Sequence, residues 1–247
     1  MVFYGKLRDP ADREFLQTAV DRFRKIFGSV YAGDNVILFG RTLGFRRDKK
    51  LMQAFGKQAK TEQEKSLLLR INTLAWAARQ ALLVEGDFVE CGVWRGFCSS
   101  VIADYLDFGA LDRTFYLYDT FEGIPPEQDA EGHDSPLFHD KALYPSVIER
   151  FAGYPNVRIV KGKVPDTLHV EAPRRIAMLH IDMNSAKAEI GALEVLYERV
   201  SRGGIIVFDD YGWTGYSAQQ LAEDEWVAAR GQRILELPTG QGLLVKH

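Results

Sequence analysis

The sequence uses little cysteine, carries no strong charge of either sign and has no long apolar run. Only Cys91 and Cys98 occur among its 247 residues. That usage excludes a disulfide framework, offers no zinc-site spacing and points to a reducing compartment. Lys and Arg number 31 and Asp and Glu 34, a net charge of -3. Such a balance excludes a binder that depends on neutralising phosphates, so no nucleic-acid partner is expected. The basic cluster Arg46, Arg47, Lys49 and Lys50 reads as a solvated face. The apolar runs are too short to span a bilayer, and the N-terminal MVFYGKLRDP lacks the apolar centre of a leader. A cytoplasmic protein with no membrane partner is expected. Internal repeats and low-complexity segments are also missing.

Hydrophobic residues make up 46% of the chain and charged residues 26%, enough for a core that needs neither metal nor disulfide to fold. Two parts are expected. Residues 1–85 form an N-terminal helical extension that can serve as a lid. Phe15, Ala19, Val20, Phe23 and Phe27 recur at helical spacing, and a loop follows, marked by Gly28, Gly33, Gly40 and Gly44. A long helix then starts at Thr61, which forms a capping-box pattern with Glu64. Leu67, Ile71, Leu74, Ala78 and Leu82 give it one apolar face, and Gly86 stops it.

Residues 86–247 change period. β-rich runs at 88–91, 115–119, 157–161, 176–182 and 205–209 alternate with helical stretches near 97–108, 141–152 and 186–200. A further helix lies near 217–230. Runs 234–237 and 243–246 are separated by a short turn and read as a hairpin. The expected fold is α/β and Rossmann-like, a mostly parallel seven-stranded sheet covered on both faces with a C-terminal antiparallel hairpin.

In such sheets ligands bind beyond the carboxyl ends of the strands, and those ends are acidic and glycine-rich here. Glu90, Gly92 and Gly96 follow the first strand as E-x-G-x-x-x-G. Gly92 permits a tight turn, and Gly96 lies where the next helix begins, whose free N–H groups can face an anion. This spacing favours a nucleoside with an amino-acid tail over the pyrophosphate of a dinucleotide. Asp119 ends the second strand and can accept from both ribose hydroxyls. Dinucleotide enzymes place an acid similarly, so Asp119 alone leaves the cofactor open. Asp182, Asp209 and Asp210 end adjacent strands. Three acids at one sheet edge repel one another unless compensated. Oxygen donors without cysteine favour a hard divalent ion such as Mg²⁺.

The segments GDFVECGVWRG, YLYDTFEGIP, VKGKVPDTL, LHIDMN and GGIIVFDDYG resemble the macrocin-type sugar O-methyltransferases. The resemblance runs from about Thr61 to the C-terminus. It implies S-adenosylmethionine and Mg²⁺ as cofactors, a small-molecule sugar hydroxyl as acceptor and a homo-oligomer. Carried over by position, Glu90, Gly92 and Gly96 line the methionine end of the cofactor. Asp119, with Thr120 beside it, holds the ribose, and Asp182, Asp209 and Asp210 hold the metal. One departure stands out. The family usually has an acid two residues after the first metal ligand, acting as general base, and this chain has Asn184.

His180, two residues before Asp182 on the same strand face, is the alternative base, although a strand histidine is more often packed core. His133 and His139 lie on the expected lid, residues 120–140. Tyr211, Trp213 and Tyr216 can stack on a sugar ring or pack against the sheet. Three other readings compete. An oxygenase lacks its two-histidine, one-carboxylate set. An NAD-dependent dehydrogenase is disfavoured by the glycine spacing. A non-catalytic cofactor-binding subunit is kept open by Asn184.

Overall fold

The computed structural model describes residues 9–247; the first eight residues of the expected N-terminal extension, and most of its MVFYGKLRDP start, lie outside the described residues. Helix α1 (Pro10–Phe27) is capped by Asp9, whose side chain accepts from the Ala11 N–H, and has proline in its first turn. The expected loop after it contains a hairpin, β1 (Val30–Gly33) and β2 (Val36–Phe39). Its tip is Asp34-Asn35, both at positive φ, the backbone that a two-residue primed turn requires. Helix α2 (Lys49–Gln58) follows.

The capping box at Thr61 and Glu64 is present and opens α3 (Glu62–Ser66). The single long helix expected here is two. The chain leaves helical geometry at Leu67 and resumes as α4 (Leu68–Ala81). The rest alternates: β3 (Asp87–Cys91), α5 (Phe97–Leu106), β4 (Phe115–Asp119), α6 (Leu143–Phe151), β5 (Val157–Lys161), the short α7 (Asp166–Val170), β6 (Ile176–Ile181), α8 (Ala186–Leu196), β7 (Val200–Phe208) and α9 (Ser217–Ala228). The hairpin of β8 (Leu235–Glu236) and β9 (Gly242–Val245) ends the described chain.

The seven strands lie in the order β5-β4-β3-β6-β7-β9-β8. The first five are mutually parallel, and β9 runs antiparallel to β7 and β8. This is the expected α/β architecture. Every residue of β6 is buried, as a strand covered on both faces demands. One core layer packs Phe88, Leu117, Met178 and Val207 against α2, α4 and α5. The other packs Val89, Tyr118, Leu179, Ile206 and Phe208 against α8 and α9. The N-terminal elements are thus one face of the sheet's cover as well as an extension. No helix among the described residues is long and apolar enough to cross a membrane.

Strand order reverses between β3 and β6, and a crevice opens at their carboxyl ends. Gly92 sits there with φ +89°, and a Cβ on it would lie 1.8 Å from the Asp182 carbonyl oxygen. The backbone that approaches Gly92 is therefore the neighbouring strand end, so this glycine lets the Glu90 and Asp182 loops lie side by side.

Candidate active site

Two clefts open at this edge, enclosing about 740 and 1240 Å³ counted out to open solvent. Gly92, Asp119, Thr120, Gly162 and Val164 line the first. Arg70, Glu90, Arg95, Asp209, Asp210, Trp213 and Tyr216 line the second. Trp94, Phe138, Asp182 and Asn184 line both.

Asp119 ties the first cleft together. Its Oδ2 accepts from the Val93 and Trp94 N–H groups at 2.7 and 2.8 Å, and Oδ1 accepts from the Phe121 N–H at 2.6 Å. One carboxylate fixes the turns after β3 and β4. Thr120 donates from Oγ1 to the Gly123 carbonyl at 2.6 Å and shapes the start of the lid. Gly96 is the N-cap of α5, at φ 69°.

The segment 120–140 is held at both ends. Asp134 accepts from the Ile124 N–H at 2.9 Å and faces His139 at 2.7 Å. Phe138 meets Trp94 edge to face at 6.0 Å, and His133 packs on Tyr216 at 4.3 Å. His133 and His139 therefore organise this segment.

In the second cleft the acids meet a partner that sequence reasoning missed. Arg70 on α4 is buried. Its Nε donates to Asp34 Oδ2 at 2.8 Å, and its Nη1 donates to Asp210 Oδ1 at 2.8 Å and to Asp209 Oδ2. The signal was present: an arginine three residues after Leu67 and four before Leu74 lies on the helix's apolar face, where a charge needs a buried counter-charge. Burial would raise the Asp209 carboxyl, but Arg70 and His180 hold it below the usual range. Burial and Asp209 push Asp210 up despite Arg70, and burial does the same to Asp34.

The Asp182 N–H donates to the Cys91 carbonyl at 2.8 Å, its side chain has no hydrogen bond or ion pair among the described residues, and burial with the charges of Asp209 and Asp210 pushes its pKa well above the carboxylate range. One ligand atom each from His180, Asp182 and Asp209 lies within 4.8 Å of the others. His180 is buried; its Nδ1 bonds Glu90 Oε1 at 2.8 Å, and its Nε2 lies 3.5 Å from Asp209 Oδ1. Burial would lower its pKa, but Asp209 and Glu90 hold it well above the histidine norm. Asn184 has φ 56°, a left-handed backbone that asparagine tolerates, and its Oδ1 is buried without a partner.

The three aromatics divide. Tyr211 is core, its hydroxyl donating to Asp224 Oδ1 at 2.5 Å. Trp213 and Tyr216 line the second cleft, and the Arg70 guanidinium lies 5.0 Å from the Trp213 ring centre.

Residues 68–231 match a family model described as macrocin-O-methyltransferase (TylF). The mycinamicin III 3''-O-methyltransferase of Micromonospora griseorubida is 30% identical over 164 residues, covering 58% of this chain and 62% of the relative. The 8-demethyl-8-(2,3-dimethoxy-alpha-L-rhamnosyl)-tetracenomycin-C 4'-O-methyltransferase of Streptomyces olivaceus is 31% identical over 159 residues, with 58% and 60% covered. The chain thus spans about six-tenths of the length of these relatives. Among solved structures, the O-methyltransferase NovP superposes with a TM-score of 0.62 at 25% identity, over 72% of this chain and 80% of that one. A calicheamicin methyltransferase shares the fold across 99% of this chain and 98% of its own, with a TM-score of 0.64 at 17% identity.

Proposed function

The chain belongs to the macrocin-O-methyltransferase family, and on that footing we propose that it transfers the methyl group of S-adenosylmethionine to a hydroxyl of a sugar or glycosylated small molecule. The observation that carries this reading is the junction of the two clefts, lined from both sides by Trp94, Phe138, Asp182 and Asn184. With S-adenosylmethionine in the first cleft and the acceptor in the second, these four residues would surround the methyl group and the hydroxyl. Asp119, with three backbone N–H groups on it, keeps one lone pair on Oδ1 for a ribose hydroxyl, with Thr120 beside it. Of the glycine-rich turn after β3, Gly92 borders the methionine end, whereas Glu90 opens on the second cleft and Gly96 lines neither. Trp213 and Tyr216 offer aromatic faces to a sugar ring, and the S. olivaceus relative, whose substrate name carries a rhamnosyl group, supports a glycosylated acceptor.

The acids fit a hard divalent cation. The unpaired Asp182 carboxylate clusters with Asp209 and His180, their ligand atoms within 4.8 Å of one another, while Arg70 takes one oxygen of Asp209 and one of Asp210 and the Gln241 amide donates to the other oxygen of Asp209 at 2.8 Å. Asp182, Asp209 and Asp210 would hold Mg²⁺, which when bound lowers the pKa of a hydroxyl and orients it. The chain's own groups do the rest. Arg70 fixes Asp209 and Asp210 on their strand end. His180 sits between Glu90 and Asp209, whose charges favour its protonated form, and braces the floor of the site. Asn184 accepts a hydrogen bond from the acceptor hydroxyl through its Oδ1. The lid and the N-terminal elements exclude water, which favours a transfer that neutralises charge. A homo-oligomer in the cytoplasm belongs to the same proposal; the exposed Phe15 and Ile26 on α1, at 72% and 63%, are surface that a second copy covers.

The test is methyl transfer from labelled S-adenosylmethionine to a panel of glycosylated acceptors, with S-adenosylhomocysteine binding measured by calorimetry. Binding of NADH in place of S-adenosylhomocysteine overturns the proposal.

A further inference from the structure

Glu189 and Glu223 are fully buried, one in the first turn of α8 and the other facing it from α9. Glu189 Oε1 accepts from the Met183 N–H at 3.0 Å. Its Oε2 and both oxygens of Glu223 are buried with no donor. Ionised carboxylates are acceptors only, and two of them in contact away from water repel. A single proton supplies the missing donor.

We propose that Glu189 and Glu223 share one proton across the contact of α8 and α9, and that this clasp positions the turn from Asp182 to Asn184 at the junction of the clefts. Glu189 is the protonated member. Its O–H donates to the Glu223 carboxylate, while its carbonyl oxygen accepts from Met183. The turn is thereby held from behind, since α8 starts directly after it and Ser185 caps that helix, accepting from the Ala188 N–H at 3.2 Å. Burial pushes Glu189 well above the carboxylate range, and burial raises Glu223 to about 7. The groups that face the pair are Asp224 on α9, Asp210, Tyr211 and Tyr216 from the segment after β7, and the Cys91 thiol on β3. When anionic, each of these adds to the cost of ionising the pair. As pH rises through the raised pKa of Glu189 the donor is lost, the carboxylates repel and the turn loosens.

The positioning half rests on the cofactor reading above; the shared proton does not. The experiment follows melting temperature and S-adenosylhomocysteine affinity of the full chain from pH 5.5 to 9.5. Glu189→Gln mimics the protonated acid, with an amide donor for Glu223 and an acceptor for Met183. Glu223→Gln removes the second charge and serves if the first variant does not fold. The wild type is expected to lose melting temperature as pH rises, and either variant to flatten that loss. Wild-type affinity should weaken by about tenfold across the alkaline limb, the equivalent of one hydrogen bond, and Glu189→Gln should abolish the weakening. Parallel melting curves for wild type and both variants overturn the shared proton. A flattened melting curve with an affinity that does not vary with pH in the wild type overturns the positioning role. Absence of S-adenosylhomocysteine binding at every pH overturns the cofactor reading and the positioning role with it, leaving melting to decide the proton.

Discussion

Arg70 and Asp210 lie 140 positions apart in the chain and are joined by a hydrogen bond of 2.8 Å from Nη1 to Oδ1. The same guanidinium reaches Asp34 at the tip of the N-terminal hairpin. A single side chain therefore couples three parts of the molecule: the hairpin, the helix that covers the sheet, and the strand end that carries the acids.

Removing Arg70 leaves the buried Asp34 and Asp209 and the partly buried Asp210 without the guanidinium that joins them. Arg70→Ala is expected to cost about 3–5 kcal/mol of stability, the range for one lost partner of a buried ion pair. Arg70→Lys should recover only part, because an ammonium cannot fork across Asp34, Asp209 and Asp210. Asp209 has its pKa lowered in the folded chain, so its contribution is present above the unfolded carboxylate pKa and lost as pH falls through the folded one. The penalty of Arg70→Ala should be largest at neutral pH and shrink below about pH 4. Chemical denaturation at pH 7 and at about pH 2 measures it; equal losses at both would mean that packing, not charge, is what Arg70 supplies.

Much of this arrangement was legible in the sequence because β-α alternation and strand-end acids are local patterns. The runs 115–119 and 157–161 coincide with β4 and β5, and the Thr61 capping box reads directly from residues three apart. What was not legible depends on contacts between distant segments. The hairpin at Asp34-Asn35 is too short to show a period, and its partners, Arg70 for Asp34 and the Ser66 carbonyl for the Tyr31 hydroxyl, lie on other elements. The break at Leu67 leaves the apolar spacing of the helix intact. Glu189 and Glu223 look like solvated helix residues until α8 and α9 pack.

The first cleft is expected to bind S-adenosylhomocysteine and to depend on Asp119. Asp119→Ala removes an acceptor that serves three backbone N–H groups and that the proposed binding mode assigns to the ribose. Affinity should fall by roughly 1.5–3 kcal/mol, as for a hydrogen bond to a charged group. Calorimetry on the folded variant reads the loss. Retention of wild-type affinity would mean that the carboxylate only braces the turns.

Divalent-metal dependence should appear as loss of methyl transfer in EDTA and its recovery with Mg²⁺. Binding of Mn²⁺, followed by its paramagnetic signal, gives a readout separate from turnover. Asp182→Ala should weaken that binding most, since Asp182 is the carboxylate not held by Arg70. Full activity in EDTA together with no detectable Mn²⁺ binding would leave Arg70 as the cation that the acids exist to hold.

Asn184 is where this chain departs from the family's usual acid, and its position at the junction makes the departure testable. Its amide lines both clefts and its backbone is left-handed, a conformation that aspartate also adopts. Asn184→Asp can therefore be made without disturbing the turn. The new carboxylate would stand near Asp182, whose charge raises its pKa toward the range useful to a general base. Turnover near neutral pH is expected to rise, by up to ~10²-fold if general-base catalysis has its usual worth. The rate should then follow the ionisation of the introduced acid, climbing with pH through its pKa, a limb that the wild type lacks. The measurement is a pH–rate profile of both proteins on one accepted glycosylated acceptor. A lower rate with normal S-adenosylhomocysteine affinity would mean that the amide orients the acceptor hydroxyl and that a charge cannot replace it. Superimposable profiles would remove position 184 from proton transfer and leave the acids and their cation as the sole activators of the hydroxyl.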